Sequence, residues 1–142
     1  MRGEERPLKK SRLIFDTGPL LLYFAEDKRV KDMLDGISAG TAEGYTCDTC
    51  LAELYYKTCE TFGREVADLR YASIRNSMIT VLATDGRLTR TAGGLKCAHR
   101  GKLALADAYI IAVAQGLRGT LVTTDHIIEE LKLVETRLLQ IP

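Results

Sequence analysis

The sequence predicts an α/β fold in which a mostly parallel sheet is sandwiched between helices. Two observations carry this. Short apolar runs alternate with longer helical patterns along the chain, as in βαβ units. Helix start and stop signals, such as Asp16-Thr17-Gly18-Pro19 and Gly63, punctuate the boundaries. The length, 142 residues, suits one domain with a sizeable core.

The elements follow in order. RLIF at 12–15 reads as a buried strand, turning at Asp16 into a helix with Pro19 near its start. Helical patterning covers roughly 19–37, in two pieces. GYTC at 44–47 is a second strand. Asp48 or Thr49 is expected to cap a helix running to Phe62 and stopped by Gly63. A helix fits 64–77, and ITVLA at 79–83 is a third strand. Residues 85–97 suit a more polar helix and 98–102 a loop. The run LALADAYIIAVAQG at 103–116 is an apolar helix closed by Gly116. TLVT at 120–123 is a fourth strand, 125–133 a short helix, and TRLLQI at 136–141 a last strand. Residues 1–11 read as a flexible basic tail and 12–142 as the domain.

Twenty Lys and Arg against nineteen Asp and Glu leave a net charge of +1, which neither announces nor excludes a nucleic-acid partner. The charged N-terminus has no signal-peptide pattern, and no apolar run approaches the ~20 residues of a membrane span. The expectation is a cytoplasmic protein without a membrane partner. Of the four cysteines, Cys47 and Cys50 form a C-x-x-C. No second pair accompanies it, and His99 and His126 lack finger spacing, so a structural zinc site is not expected. Nor is redox chemistry. Buried thiols or a local disulfide are the simpler readings for Cys47, Cys50, Cys59 and Cys97.

In open parallel sheets, ligands lie outside the carboxyl ends of the strands. Four acids fall on that rim. Asp16 follows the first strand, and Asp125 follows the fourth. Glu53 lies early in the helix after the second strand, and Asp107 in the first turn of the apolar helix. Singly, each has an ordinary explanation. Asp16 and Asp125 can cap helices, Asp107 can complement a helix N-terminus, and Glu53 can pair with Lys57 one turn on. Together they are less ordinary, because converging carboxylates raise one another's pKa. A hard divalent cation, Mg2+ or Mn2+, relieves that repulsion and commonly serves phosphoryl chemistry. From Gly86 to Ala106 there is no acid, while Arg87, Arg90, Lys96, Arg100 and Lys102 are present. That segment is expected to bed a phosphate backbone; a solvated charged helix is the plainer alternative.

FDTGPLLLYF at 15–24, LAELYYK at 51–57, LALADAYIIAVAQ at 103–115 and LVTTD at 121–125 together resemble the PIN-domain nucleases. The likeness is greatest to small single-domain toxins of the VapBC toxin–antitoxin type. It covers nearly all of the chain after residue 11. The resemblance implies a three-layer α/β/α fold with a central five-stranded parallel sheet. It implies an acidic tetrad of Asp16, Glu53, Asp107 and Asp125 that binds one or two Mg2+ or Mn2+ ions and hydrolyses RNA endonucleolytically. Thr123 matches the family's hydroxyl two positions before the last acid, and Thr17 the hydroxyl after the first. Gly18 stands where the family often has a second Ser or Thr. A homodimer and an inhibiting antitoxin are implied as well.

Asp16-Thr17-Gly18 is also the triplet of aspartic proteases, but those are nearly all β and leave the helical patterning unexplained. Haloacid-dehalogenase-like phosphatases need an acid at position 18, where this chain has glycine. Nearer alternatives are a housekeeping RNA-processing nuclease of the same fold, or an inactive RNA-binding or scaffold domain.

Overall fold

The computed structural model describes residues 10–142, so most of the expected basic tail lies outside the described residues. Its far boundary moves, because the first strand already includes Ser11. Five strands form one sheet: β1 (Ser11–Phe15), β2 (Ala42–Cys47), β3 (Thr80–Leu82), β4 (Thr120–Thr123) and β5 (Thr136–Leu138). Seven helices connect or flank them: α1 (Thr17–Phe24), α2 (Lys28–Ser38), α3 (Asp48–Phe62), α4 (Arg64–Arg75), α5 (Gly86–Ala98), α6 (Leu105–Leu117) and α7 (His126–Leu131). The strand order is β3-β2-β1-β4-β5, and every pairing is parallel.

The period-2 geometry of the strands divides the core into two layers. Ile14 and Leu121 point to one face, where Ala108, Ile111 and Ile128 cover them. Phe15 and Val122 point to the other, against Leu20, Val30, Leu54 and Ile74. Helices therefore pack on both faces, and the result is a three-layer α/β/α sandwich. Each fully buried side chain of this kind contributes ~1.5–3 kcal/mol, which is why the central strands read as unbroken apolar runs.

The helices expected at 64–77 and 125–133 end at Arg75 and Leu131, and the last strand at Leu138; two helix caps differ from expectation as well. The N-cap of α3 is Cys47, without a side-chain cap bond, because β2 stays extended through that residue. Asp48 is already helical and pairs with Arg75 of α4 instead. Gly116 does not close α6. The helix runs on to Leu117, and Arg118 adopts the left-handed cap at φ 53°. An exposed arginine there is strained relative to glycine. Arg118→Gly is expected to stabilise the protein by ~0.5–1 kcal/mol, read as a rise in Tm.

The chain winds outward from β1 to β3, crosses back, and winds outward again from β4 to β5. The reversal leaves a crevice between β1 and β4 at their carboxyl ends, the position where such sheets bind ligands.

Candidate active site

Asp16 sits in that crevice and is buried, with 6% of its surface exposed. Its backbone N–H continues the sheet by donating to the Val122 carbonyl at 3.0 Å. Oδ1 accepts the Thr17 N–H at 2.8 Å, and Oδ2 accepts the Thr123 hydroxyl at 2.7 Å. Thr123, fully buried, is itself held by the Asp125 N–H, 3.1 Å from its hydroxyl oxygen. The ends of β1 and β4 are thus stitched together through one carboxylate. Burial raises the Asp16 pKa above its ordinary value. The Thr123 and Thr17 donors oppose this, while the charges of Glu53 and Asp125 add to it.

Asp107, partly buried in the first turn of α6, is pushed up to about 7. Burial is the main cause, followed by the charges of Asp16, Asp125 and Glu53, with Lys57 opposing. Its acidity thus registers all three other acids. The plain structural roles hold at the same time. Asp16 caps α1, Asp125 caps α7 by accepting the Ile127 N–H at 2.9 Å, and Glu53 pairs with Lys57 at 3.7 Å. Capping employs only part of each carboxylate's acceptor capacity, since every ionised oxygen has two lone pairs.

Thr17 turns inward, its hydroxyl 3.4 Å from the Cys50 carbonyl, so it serves the packing of α1 on α3. The thiol of Cys50 lies 4.0 Å from Asp16 Oδ1, a neighbour that sequence reasoning did not connect to the acids. All four cysteines are free, and no disulfide joins Cys47 and Cys50, whose sulfurs are 3.9 Å apart. The Cys50 thiol, with help from Thr49, pulls Cys47 down to about 6 despite burial, and Cys50 is pushed up in turn. Cys47 and Cys50 are buried as expected, Cys59 is partly covered, and Cys97 is exposed.

The basic segment is divided by the α5–α6 hairpin. Arg87, Arg90, Lys96, Arg100 and Lys102 are all exposed. Lys96 donates to the Leu103 carbonyl at 2.9 Å, which places it, Arg100 and Lys102 near the end of α6 that carries Asp107. Arg87 lines a cleft with Gln115 and Gly116 at the opposite end of α6. Those glutamine and glycine positions are roughly 12–13 Å along the helix axis from Asp107.

A cavity of about 670 Å3 opens between α3 and α4, walled by Asp48, Tyr55, Asp68, Tyr71 and Arg75, and contains none of the four acids. Its polar groups satisfy one another: Tyr55 donates to Asp68 at 2.9 Å, and Arg75 pairs with Asp48. Tyr109 likewise bonds Thr89 at 3.2 Å, so Tyr55 and Tyr109 are occupied in packing between helices. The four acids lie outside this cavity, on the sheet rim. Among the described residues, no three His, Cys, Asp or Glu side chains stand together as a ready-made metal cage, and none of the helices is long and apolar enough to cross a membrane.

Comparison with known proteins agrees with the architecture. Among solved structures, VapBC2 from Rickettsia felis, bound to a DNA fragment from its promoter, aligns with a TM-score of 0.73 at 16% identity, over 89% of this chain and 98% of that one. VapC20 from Mycobacterium tuberculosis, a Sarcin-Ricin loop cleaving toxin, aligns with a TM-score of 0.69 at 18% identity, over 87% and 97%. FitAcB from Neisseria gonorrhoeae gives 0.60 at 18% identity, over 87% and 95%. At these identities the likeness is one of fold. A search of curated proteins finds no match. The PIN domain profile matches residues 13–133, from β1 through α7 and past all four acids. The chain belongs to the PIN domain family.

Proposed function

We propose that this protein is a metal-dependent endoribonuclease that hydrolyses RNA phosphodiester bonds at Asp16, Glu53, Asp107 and Asp125, and that it is the toxin of a toxin–antitoxin pair. The observation that carries the nuclease reading is that two acids on the rim, Asp16 and Asp107, are raised by burial and further by the charges of Glu53 and Asp125. Structural frameworks avoid such repulsion. Membership of the PIN family supports the nuclease. The toxin assignment draws on the fold shared with VapBC complexes from several bacteria. We place the protein in the cytoplasm as a homodimer, with RNA as substrate and an antitoxin as inhibitor.

The donor chemistry suits a hard cation, which would draw together acids that do not stand as a formed cage among the described residues. The set offers carboxylate oxygens, and buried acids whose proton affinity is raised gain most when a positive charge replaces the proton. Asp16, Glu53 and Asp107 would hold Mg2+ or Mn2+, one ion or two, with Asp125 direct or through water. Bound there, the cation supplies charge neutralisation and the activation of water for in-line attack on phosphorus. The protein does the rest. Thr17 and Thr123 fix the Asp16 carboxylate in one orientation, and Oδ2, with the Thr123 hydroxyl as its one donor, keeps a lone pair free. Lys57 restrains Glu53 beside the cluster. Lys96, Arg100 and Lys102 hold flanking phosphates, and Arg87 and Arg90 extend the track along α5.

Two results test this reading. Mg2+ or Mn2+ at 100 times Kd is expected to stabilise the protein by ~2.7 kcal/mol, seen as a rise in Tm that EDTA reverses. Induced expression is expected to arrest bacterial growth, and Asp16→Asn to remove the arrest. An active nuclease that leaves growth untouched points to RNA processing in place of toxicity.

A further inference from the structure

Gly18 and Thr124 share one place. A Cβ built on Gly18 would lie 2.1 Å from the Thr124 hydroxyl oxygen and 3.1 Å from both Thr124 Cβ and Cγ2. Real Cβ atoms do not approach that closely, so position 18 is side-chain-free because residue 124 fills its space. The two positions belong to different strand ends. Gly18 lies two residues past Asp16 in the first turn of α1, and Thr124 lies between Thr123 and Asp125. The neighbouring hydroxyls differ in their engagement. Thr123 is buried and committed to Asp16. Thr124 is only partly buried, and its hydroxyl makes no hydrogen bond to any described residue.

We infer that Thr124 is a substrate-positioning residue, its hydroxyl donating to a phosphate oxygen of the strand held at the acid cluster. The chemistry suits the place. A neutral donor set between Asp125 and the turn that follows Asp16 attracts an anionic oxygen without adding repulsion, and a short β-branched side chain wedged against α1 loses little freedom on binding. Gly18 is the counterpart that gives it room. This inference rests on the nuclease reading above and specifies one contact of that site.

The test compares cleavage kinetics and thermal unfolding of Thr124→Val, Thr124→Ser, Thr124→Ala, Gly18→Ser and the double variant Gly18→Ser/Thr124→Ala, using a structured RNA with Mn2+. Thr124→Val keeps the shape and removes the hydroxyl. It is expected to lower kcat/KM about 10- to 100-fold, the effect of one hydrogen bond to a charged oxygen, with Tm and Mn2+ affinity unchanged. Thr124→Ser retains the donor and is expected to stay within about threefold of wild type. Gly18→Ser alone is expected to lower Tm by several degrees, through the collision. The double variant is expected to recover that Tm and, by returning a hydroxyl from the α1 side, to cleave faster than Thr124→Ala. Wild-type rates in Thr124→Val overturn the inference while leaving the nuclease intact. An unchanged Tm in Gly18→Ser overturns its packing premise. Wild-type protein that cuts no RNA overturns the nuclease reading and this contact with it.

Discussion

Asp16→Asn is expected to reduce RNA hydrolysis at least ~1,000-fold, the scale on which loss of a central catalytic electrostatic group acts, while the protein stays folded. The local hydrogen bonds explain the second half of that expectation. An asparagine Oδ1 can accept the Thr17 N–H as Asp16 Oδ1 does. Its Nδ2 can donate to Thr123, whose hydroxyl serves as donor or acceptor. The Thr123 hydroxyl proton loses its acceptor and the second Nδ2 proton gains none, a cost of ~1–3 kcal/mol that falls short of a typical folding stability. The change removes the negative charge at the switch point of the sheet, and with it the anionic ligand joining β1 to the cluster. Parallel measurements of kcat and of Tm on one preparation check both halves. A variant that unfolds would show that the charge is needed for the fold, and one that cleaves normally would remove Asp16 from the chemistry.

The metal-free protein is expected to lose stability as pH rises from about 4 to 7, the reverse of ordinary acid denaturation. The sign follows from Asp107. Its carboxyl rises from 3.8 to about 7 on folding, through burial first and then through Asp16, Asp125 and Glu53. Below pH 4 it is protonated both folded and unfolded. Between the two values the unfolded chain releases its proton while the folded chain retains it, so the stabilisation is lost as pH rises. Asp16 shifts in the same direction. Asp27 is lowered, chiefly by its hydrogen bond with Arg29, so its contribution falls away only at more acidic pH. Because Asp107 retains some solvent contact, the loss is discounted to ~1–2 kcal/mol. Denaturant unfolding in EDTA across this range measures it. Asp107→Asn is expected to flatten the profile, and saturating Mn2+ to oppose the decline by favouring the ionised acids. A wild-type profile already flat between pH 4 and 7 would contradict the buried-charge account.

Much of this was legible in the residues. The strands RLIF and TLVT are apolar because both faces of the sheet are covered, and their positions hold in β1 and β4. Asp16 and Asp125 stand just past the ends of β1 and β4, and Glu53 and Asp107 early in α3 and α6, as the order of strands and helices along the chain implies. Local competition hid the rest. In Cys-Asp-Thr-Cys, two good capping residues follow Cys47, yet the extended backbone of β2 selects the cysteine. Gly116 is a plausible stop signal, but α6 continues because nothing in its surroundings demands a left-handed turn there. The Thr123–Asp16 bond joins residues 107 positions apart and depends on β1 and β4 being neighbours. The collision between Gly18 and Thr124 depends on the same pairing, so the glycine read along the chain looks like a missing hydroxyl. The division of the basic segment required knowing that α5 and α6 run antiparallel.

The most direct measurement is cleavage of a mixed structured RNA by the purified protein, with Mn2+ and again with EDTA. Endonucleolytic cutting that appears with the metal, disappears with the chelator and is absent from Asp16→Asn is the result expected here. Cutting that persists in EDTA, or a folded protein that binds Mn2+ and leaves every RNA intact, would contradict the assignment of the four acids to metal-dependent RNA hydrolysis.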